Sequence, residues 1–129
     1  MNLWMNILLK ESISLNKSKT FQKEFNEIFP FEKIKQKGLL HVARLLENID
    51  TEGKARGLSE EEIIELKGCK PYYGGCLVTL HQNNGEGPVI QISYGMAECE
   101  EDANLCRFNY VMEYSVDGEL IREKIHKAY

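Results

Sequence analysis

The chain predicts an α+β fold, with N-terminal helices packed on one face of a four-stranded antiparallel meander. Three observations predict it. An Asp117-Gly118 pair separates two strand-like runs in the C-terminal half, which is a strong hairpin signal. Phe108, Tyr110, Met112, Tyr114 and Val116 alternate with Arg107, Asn109, Glu113 and Ser115, so one face of the sheet is dry and the other wet, with Val111 the exception. Before residue 70 the apolar residues recur instead at helical spacing, and Ser59 to Glu62 forms a capping box. A helical part over about 1–68 and a sheet part over about 76–127 make one domain of 129 residues, long enough to enclose a core.

Taken in order, Met1 to Leu15 is ambiguous between a helical stripe (Leu3, Trp4, Ile7) and a short strand (Ile13, Leu15). The stretch lacks a basic leader and a small-residue cleavage site, so it reads as structure rather than as a signal peptide. Ser18 or Thr20 caps the next helix, where Phe21, Phe25, Ile28 and Phe29 share one face and Pro30 ends it. Phe31 and Ile34 suggest a further helical turn before Gly38. Leu39 to Ile49 follows, burying Leu39, Val42, Leu45, Leu46 and Ile49. Asp50 to Gly57 reads as a polar loop. A last helix starts at Ser59, with Leu58 and Ile63 as a hydrophobic staple, and stops at Gly68.

The first strand is expected over Cys76 to Gln82, with Cys76, Val78 and Leu80 on one face, followed by a turn-rich loop to Gly87. Pro88 to Glu98 carries Ile90, Ile92, Tyr94 and Met96 inward. Its best register sets Met96 against Phe108, Tyr94 against Tyr110 and Ile92 against Met112. Cys99 to Leu105 is then a turn. A two-residue type I′ turn at Asp117-Gly118 sets Tyr114 against Ile121, Tyr110 against Ile125, Phe108 against Lys127 and Glu113 against Arg122.

Composition excludes several classes. The charge is −4, which disfavours general nucleic-acid binding, and no apolar run is long enough for a membrane helix. Cys69, Cys76, Cys99 and Cys106 form two Cys-x6-Cys pairs, wider than ordinary zinc pairs, each bracketing a loop. Reduced thiols, disulfides and zinc all stay open on spacing, although the register does not set Cys99 opposite Cys106. With thiols reduced, Cys76 and Cys106 would be core residues. The reading carries no metal and no cofactor. His41, His81 and His126 are scattered, with no orienting group placed beside any of them, so no catalytic residue is assigned. His126 falls on the wet face near Asn109.

Two surfaces stand out. Tyr94, Phe108, Tyr110 and Tyr114 form an aromatic face that is either solid core or the lining of a pocket. In the latter case the plan would be that of the nuclear-transport-factor-2-like cone folds, which hold small ligands. Glu98, Glu100, Glu101 and Asp102 place four carboxylates within five residues at a tip, where they repel one another unless a cationic partner arrives. Their spacing does not match a calcium loop. In size, acidity, absence of a catalytic motif and this exposed acidic tip, the whole chain resembles the bacterial immunity proteins of contact-dependent growth inhibition systems. The resemblance implies a non-enzymatic, cytoplasmic protein that neutralises a basic, nuclease-type toxin domain by covering its active site. The residues expected to meet that partner are Glu98, Glu100, Glu101 and Asp102, with Tyr72 and Tyr73 as aromatic anchors.

Overall fold

The computed structural model describes residues 17–80, 87–105 and 107–127. The readings of Met1 to Leu15, of the His81–Glu86 connection and of Cys106 lie outside these. Four helices precede four strands: α1 over 17–28, α2 Phe31–Glu47, α3 Ile49–Ala55, α4 Glu60–Leu66, then β1 Lys70–Thr79, β2 Val89–Ala97, β3 Phe108–Ser115 and β4 Leu120–Lys127. The strands form one antiparallel sheet in the order β1-β2-β3-β4. This is the expected α+β architecture with a meander. A short 3-10 helix, Glu100–Leu105, joins β2 to β3.

α1 contributes little more than its last turn to the core. Phe29, just past its end, is 0% exposed and meets Tyr114 edge-on with ring centroids 6.0 Å apart. Phe21 and Ile28, expected on the buried stripe, are instead 67% and 71% exposed. Only Phe25 and Phe29 turn inward, and Phe21 stacks on the outer side of Phe25 at 6.2 Å. Pro30 separates α1 from α2, as proline's lost donor requires. Its own carbonyl accepts from the Ile34 amide, and Asn26 Oδ1 accepts from that of Glu32.

α2 runs unbroken through Gly38, where a helix end was expected. Gly38 is there for space. A Cβ built on it would lie 2.0 Å from the Tyr94 hydroxyl, so only glycine lets the helix approach β2. That hydroxyl donates to the Lys35 carbonyl at 3.0 Å. From this position α2 buries Ile34, Val42, Leu45 and Leu46 against the sheet. Asn48 ends the helix, its amide side chain returning to the Arg44 carbonyl. The expected loop Asp50 to Gly57 is mostly α3, which tucks Ile49 and Gly53 inward. Glycine and polar composition pointed to a loop, but packing against Leu58 and Ile63 holds the helix.

α4 begins with the expected capping box: Ser59 Oγ accepts from the Glu62 amide, and the Glu62 carboxylate accepts from that of Ser59. Lys127 Nζ, at the end of β4, lies 2.7 Å from Glu62 Oε2. The Lys127 ammonium first, and the Ser59 amide second, hold the Glu62 carboxyl down from 4.5 to about 2. Glu62 is only 13% exposed as a side chain, but what covers it is its own cap and Lys127 rather than the core. A carboxyl lowered in the folded state stabilises fully above its unfolded value, and that contribution fades as pH falls through the folded one. Lys127→Ala should therefore lower the unfolding midpoint near neutral pH. The gap to the parent should close as pH drops from 4.5 to about 2, read by circular dichroism melts.

The sheet keeps the expected central register, with Ile92 opposite Met112 and Tyr94 opposite Tyr110. Ile90, Ile92, Tyr94, Met96, Phe108, Tyr110, Met112 and Tyr114 are all buried beneath the helices. The aromatic face is therefore core over most of its length: Tyr94 and Tyr110 are both 0% exposed. Across β3 and β4, Phe108 faces Lys127, Tyr110 faces Ile125 and Asn109 faces His126. Glu113 faces Arg122, with Arg122 Nε 2.6 Å from Glu113 Oε2.

The turn itself departs from expectation. No described non-glycine residue has positive φ, so Asp117 cannot occupy a type I′ turn; Gly118 alone is left-handed, at φ 87°. The Gly118 amide donates to the Ser115 carbonyl and the Ser115 amide to that of Glu119. This is a three-residue loop closed by a glycine bulge, the other hairpin in which Gly supplies the left-handed residue. Between Glu113 and Tyr114 the ladder slips, so Tyr114 faces Leu120 and not Ile121.

β1 starts at Lys70, ahead of the expected Cys76, and takes in Pro71, Tyr72 and Tyr73. It is an edge strand with a bulge between Tyr73 and Gly75. Proline and glycine are tolerated at such places, which is why a turn-like composition could still pair. Cys76 is exposed rather than core, and Val78 and Leu80 are 40% and 66% exposed. Cys69 and Cys76 stand at opposite ends of extended backbone, too far apart to bridge one another. Cys76 and Cys99 carry free thiols.

Candidate interaction surfaces

The acidic tip is built by the end of β2 and the 3-10 helix that follows. Glu98, Glu100, Glu101 and Asp102 are all exposed. The turn is tied to itself: the Asp102 amide donates to the Cys99 carbonyl at 3.2 Å, and Cys99 Sγ donates to Asp102 Oδ2 at 3.1 Å. Among the described residues none of the four carboxylates joins an ion pair, whereas Glu62, Glu65, Glu113 and Glu123 all do. The tip is thus a short, fixed loop of unneutralised charge.

Lys70 pairs with Ala97, so the start of β1 lies beside the tip. Next to it a groove of about 850 Å³ opens between α2 and the segment from Lys67 to Tyr72. Leu39, Leu40, Ala43, Leu46, Pro71 and half-buried Tyr72 are among its lining residues. Tyr72 thus joins the acidic residues at one end of the molecule. Tyr73 is used internally. Its ring meets Phe31 edge-on at 5.9 Å and carries the Lys35 ammonium 4.8 Å from its centroid. Burial pushes its hydroxyl up from the ordinary tyrosine value. It remains 41% exposed, but it anchors α2 before it can anchor a partner.

A second constellation joins residues far apart in the sequence. His41 Nε2 on α2 is 3.4 Å from the Tyr110 hydroxyl on β3 and 3.3 Å from Glu123 Oε2 on β4. Arg56, just past α3, reaches Glu123 Oε1 at 3.2 Å and lies over the Tyr110 ring, 5.4 Å from its centroid. Glu123 Oε2 is buried yet accepts no aligned hydrogen bond, so its contact with the histidine is one of proximity. Burial, then the Glu123 carboxylate, pushes the Tyr110 hydroxyl up. The cluster pins two helices to β4 across a sheet edge that offers few apolar contacts of its own. The sequence places no orienting group beside His41 and does not single out Arg56 or Glu123. The only local hint is that Glu123 falls on the sheet's dry parity, where a carboxylate needs a partner.

Toward the Tyr114 end the same side opens into a smaller groove of about 460 Å³ beneath α2. Lys37, His41 and Arg44 form its helical wall, and Met112, Tyr114 and Leu120 its sheet side. Among the described residues no three His, Cys, Asp or Glu side chains converge as a metal site, and no described helix is long and apolar enough to cross a membrane. Compared with models of known protein families, with characterised proteins and with solved structures, the chain matches none.

Proposed function

We propose that this chain is a non-enzymatic inhibitor that acts in the bacterial cytoplasm. It binds the basic, nucleic-acid-cleaving domain of a growth-inhibition toxin and occludes its active site. The observation that carries this reading is the acidic tip. Glu98, Glu100, Glu101 and Asp102 are exposed, held on a short internally bonded turn, and meet no cation among the described residues. A surface that cleaves a polyanion is itself positive, so such a tip steers encounter and imitates the substrate's charge. The apolar groove beside it, with Tyr72 at its margin, supplies what charge alone does not, a place for a side-chain anchor.

The test uses the product of the adjoining upstream gene as bait. Wild type and the fourfold reversal E98K/E100K/E101K/D102K are compared by surface plasmon resonance at low salt. The association rate should fall by roughly tenfold or more, with the difference shrinking as salt rises. The melting temperature should stay close to that of the parent, because the replaced groups are exposed. An association rate that does not change at low salt removes the tip from the interface, and absence of any complex removes the reading.

A further inference from the structure

We propose that the groove between α2 and the β3–β4 hairpin binds a small amphiphilic anion, a carboxylate with an apolar tail. Lys37, His41 and Arg44 are spaced by four and three residues on α2 and so line one side of the helix, facing that groove. Among the described residues neither Lys37 nor Arg44 joins an ion pair, and no acid lines the groove. Glu123, the nearest carboxylate to His41, is already engaged by Arg56. It therefore leaves the outer two cations uncompensated.

Lys37 and Arg44 stand two helical turns apart along this wall, so an anionic head seated on it meets no internal acid competing for either. Opposite this wall the groove is apolar: Met112 and Tyr114 are buried, and Leu120 is 48% exposed, more than a closed core would leave it. The sulfur of Met112 takes the Tyr114 hydroxyl at 3.6 Å, so even that polar tip is turned inward. The volume, about 460 Å³, falls within the usual range for small-molecule sites of roughly 300–1,000 Å³. Cations along one wall and a greasy floor select a ligand with a negative head and a hydrocarbon body. A bare inorganic anion would leave the floor wet, and a neutral lipid would leave the cations unmatched. The acidic tip lies on a different loop, so this site can stand or fall without the inhibitor reading.

The probe is decanoate, titrated into the isotopically labelled full chain below its micelle concentration and followed by NMR. Decan-1-ol and acetate serve as tail-only and head-only controls, and a hexaglutamate peptide as a macromolecular anion. The site predicts saturable one-to-one binding, with shifts concentrated at the Met112 methyl and the amides of 37–44. Either control should bind at least tenfold more weakly. K37Q/R44Q, which alters only exposed side chains, should fold normally and weaken decanoate binding by roughly tenfold or more. Equal binding by K37Q/R44Q, equal binding of decan-1-ol, or shifts spread over the whole chain would overturn the proposal. Binding of hexaglutamate with decanoate inert would also overturn it and would assign the groove to a protein partner.

Discussion

Phe29→Ala should cost about 3–5 kcal/mol of stability, the largest loss expected from any single truncation discussed here. The ring is wholly enclosed, edge-on to Tyr114 and 5.7 Å from Phe25, and it is the deepest anchor that α1 provides. No smaller side chain there can collapse onto Tyr114 without drawing the α1–α2 junction at Pro30 with it. Chemical denaturation should show the midpoint falling with the slope unchanged. Phe21→Ala, two turns earlier and exposed, should change stability by no more than about 0.5 kcal/mol. Equal effects of the two would mean that α1 is not docked through Phe29.

Gly38→Ala comes second, and its sign is the informative part. On an exposed helix the change would stabilise by up to about 1 kcal/mol. Here the new methyl would meet the Tyr94 hydroxyl at 2.0 Å and its ring carbon at 2.6 Å. The hydroxyl is the far end of a side chain, but that side chain is fully buried and bonded to the Lys35 carbonyl, so it has nowhere to move. Overpacking of this kind costs about 1–3 kcal/mol, and losing the hydrogen bond adds about 1. The net expectation is a loss of about 2 kcal/mol, or a fall of roughly 6–10 °C in melting temperature. Gly38→Ala combined with Tyr94→Phe should recover part of this, since the worst contact is with the oxygen. A double-mutant cycle with no coupling would place the two residues apart.

Gly38 also shows where reading the sequence stops working. Glycine inside a helical pattern signals an end when only local energetics are considered, and by that rule α2 should have broken there. The reason it does not is Tyr94, a residue far along the chain whose hydroxyl occupies the missing Cβ's place. Gly53 in α3 misleads in the same way. Conversely, features ruled by neighbours in sequence were legible, the capping box at Ser59 and Glu62 and the glycine ending α4, as was the register of Tyr94 on Tyr110, which matching two alternating apolar faces sets. The hairpin was legible as a hairpin but not as a turn type, because Asp117-Gly118 suits both the two-residue loop, where both residues are left-handed, and the three-residue loop, where Gly118 alone is. β1 was read too short because Pro71, Gly74 and Gly75 punctuate a strand only when it lies inside a sheet, and this one lies at its edge. The exposed acids of the tip were visible as a run of like charges. The cluster of His41, Arg56, Tyr110 and Glu123 was not, since nothing in the neighbourhood of any one of them points to the others.

One margin of the sheet is held in an unusual manner. β4 leaves most of its residues open to solvent and is fastened to the helices by Glu123 with Arg56 and by Lys127 with Glu62, while Arg107 beside the start of β3 reaches Glu65 at 2.8 Å. Brine weakens fastenings of this sort and spares grease. The protein therefore has a seam that ionic strength can loosen while the interior stays shut, and β4 is the first strand that can lift away.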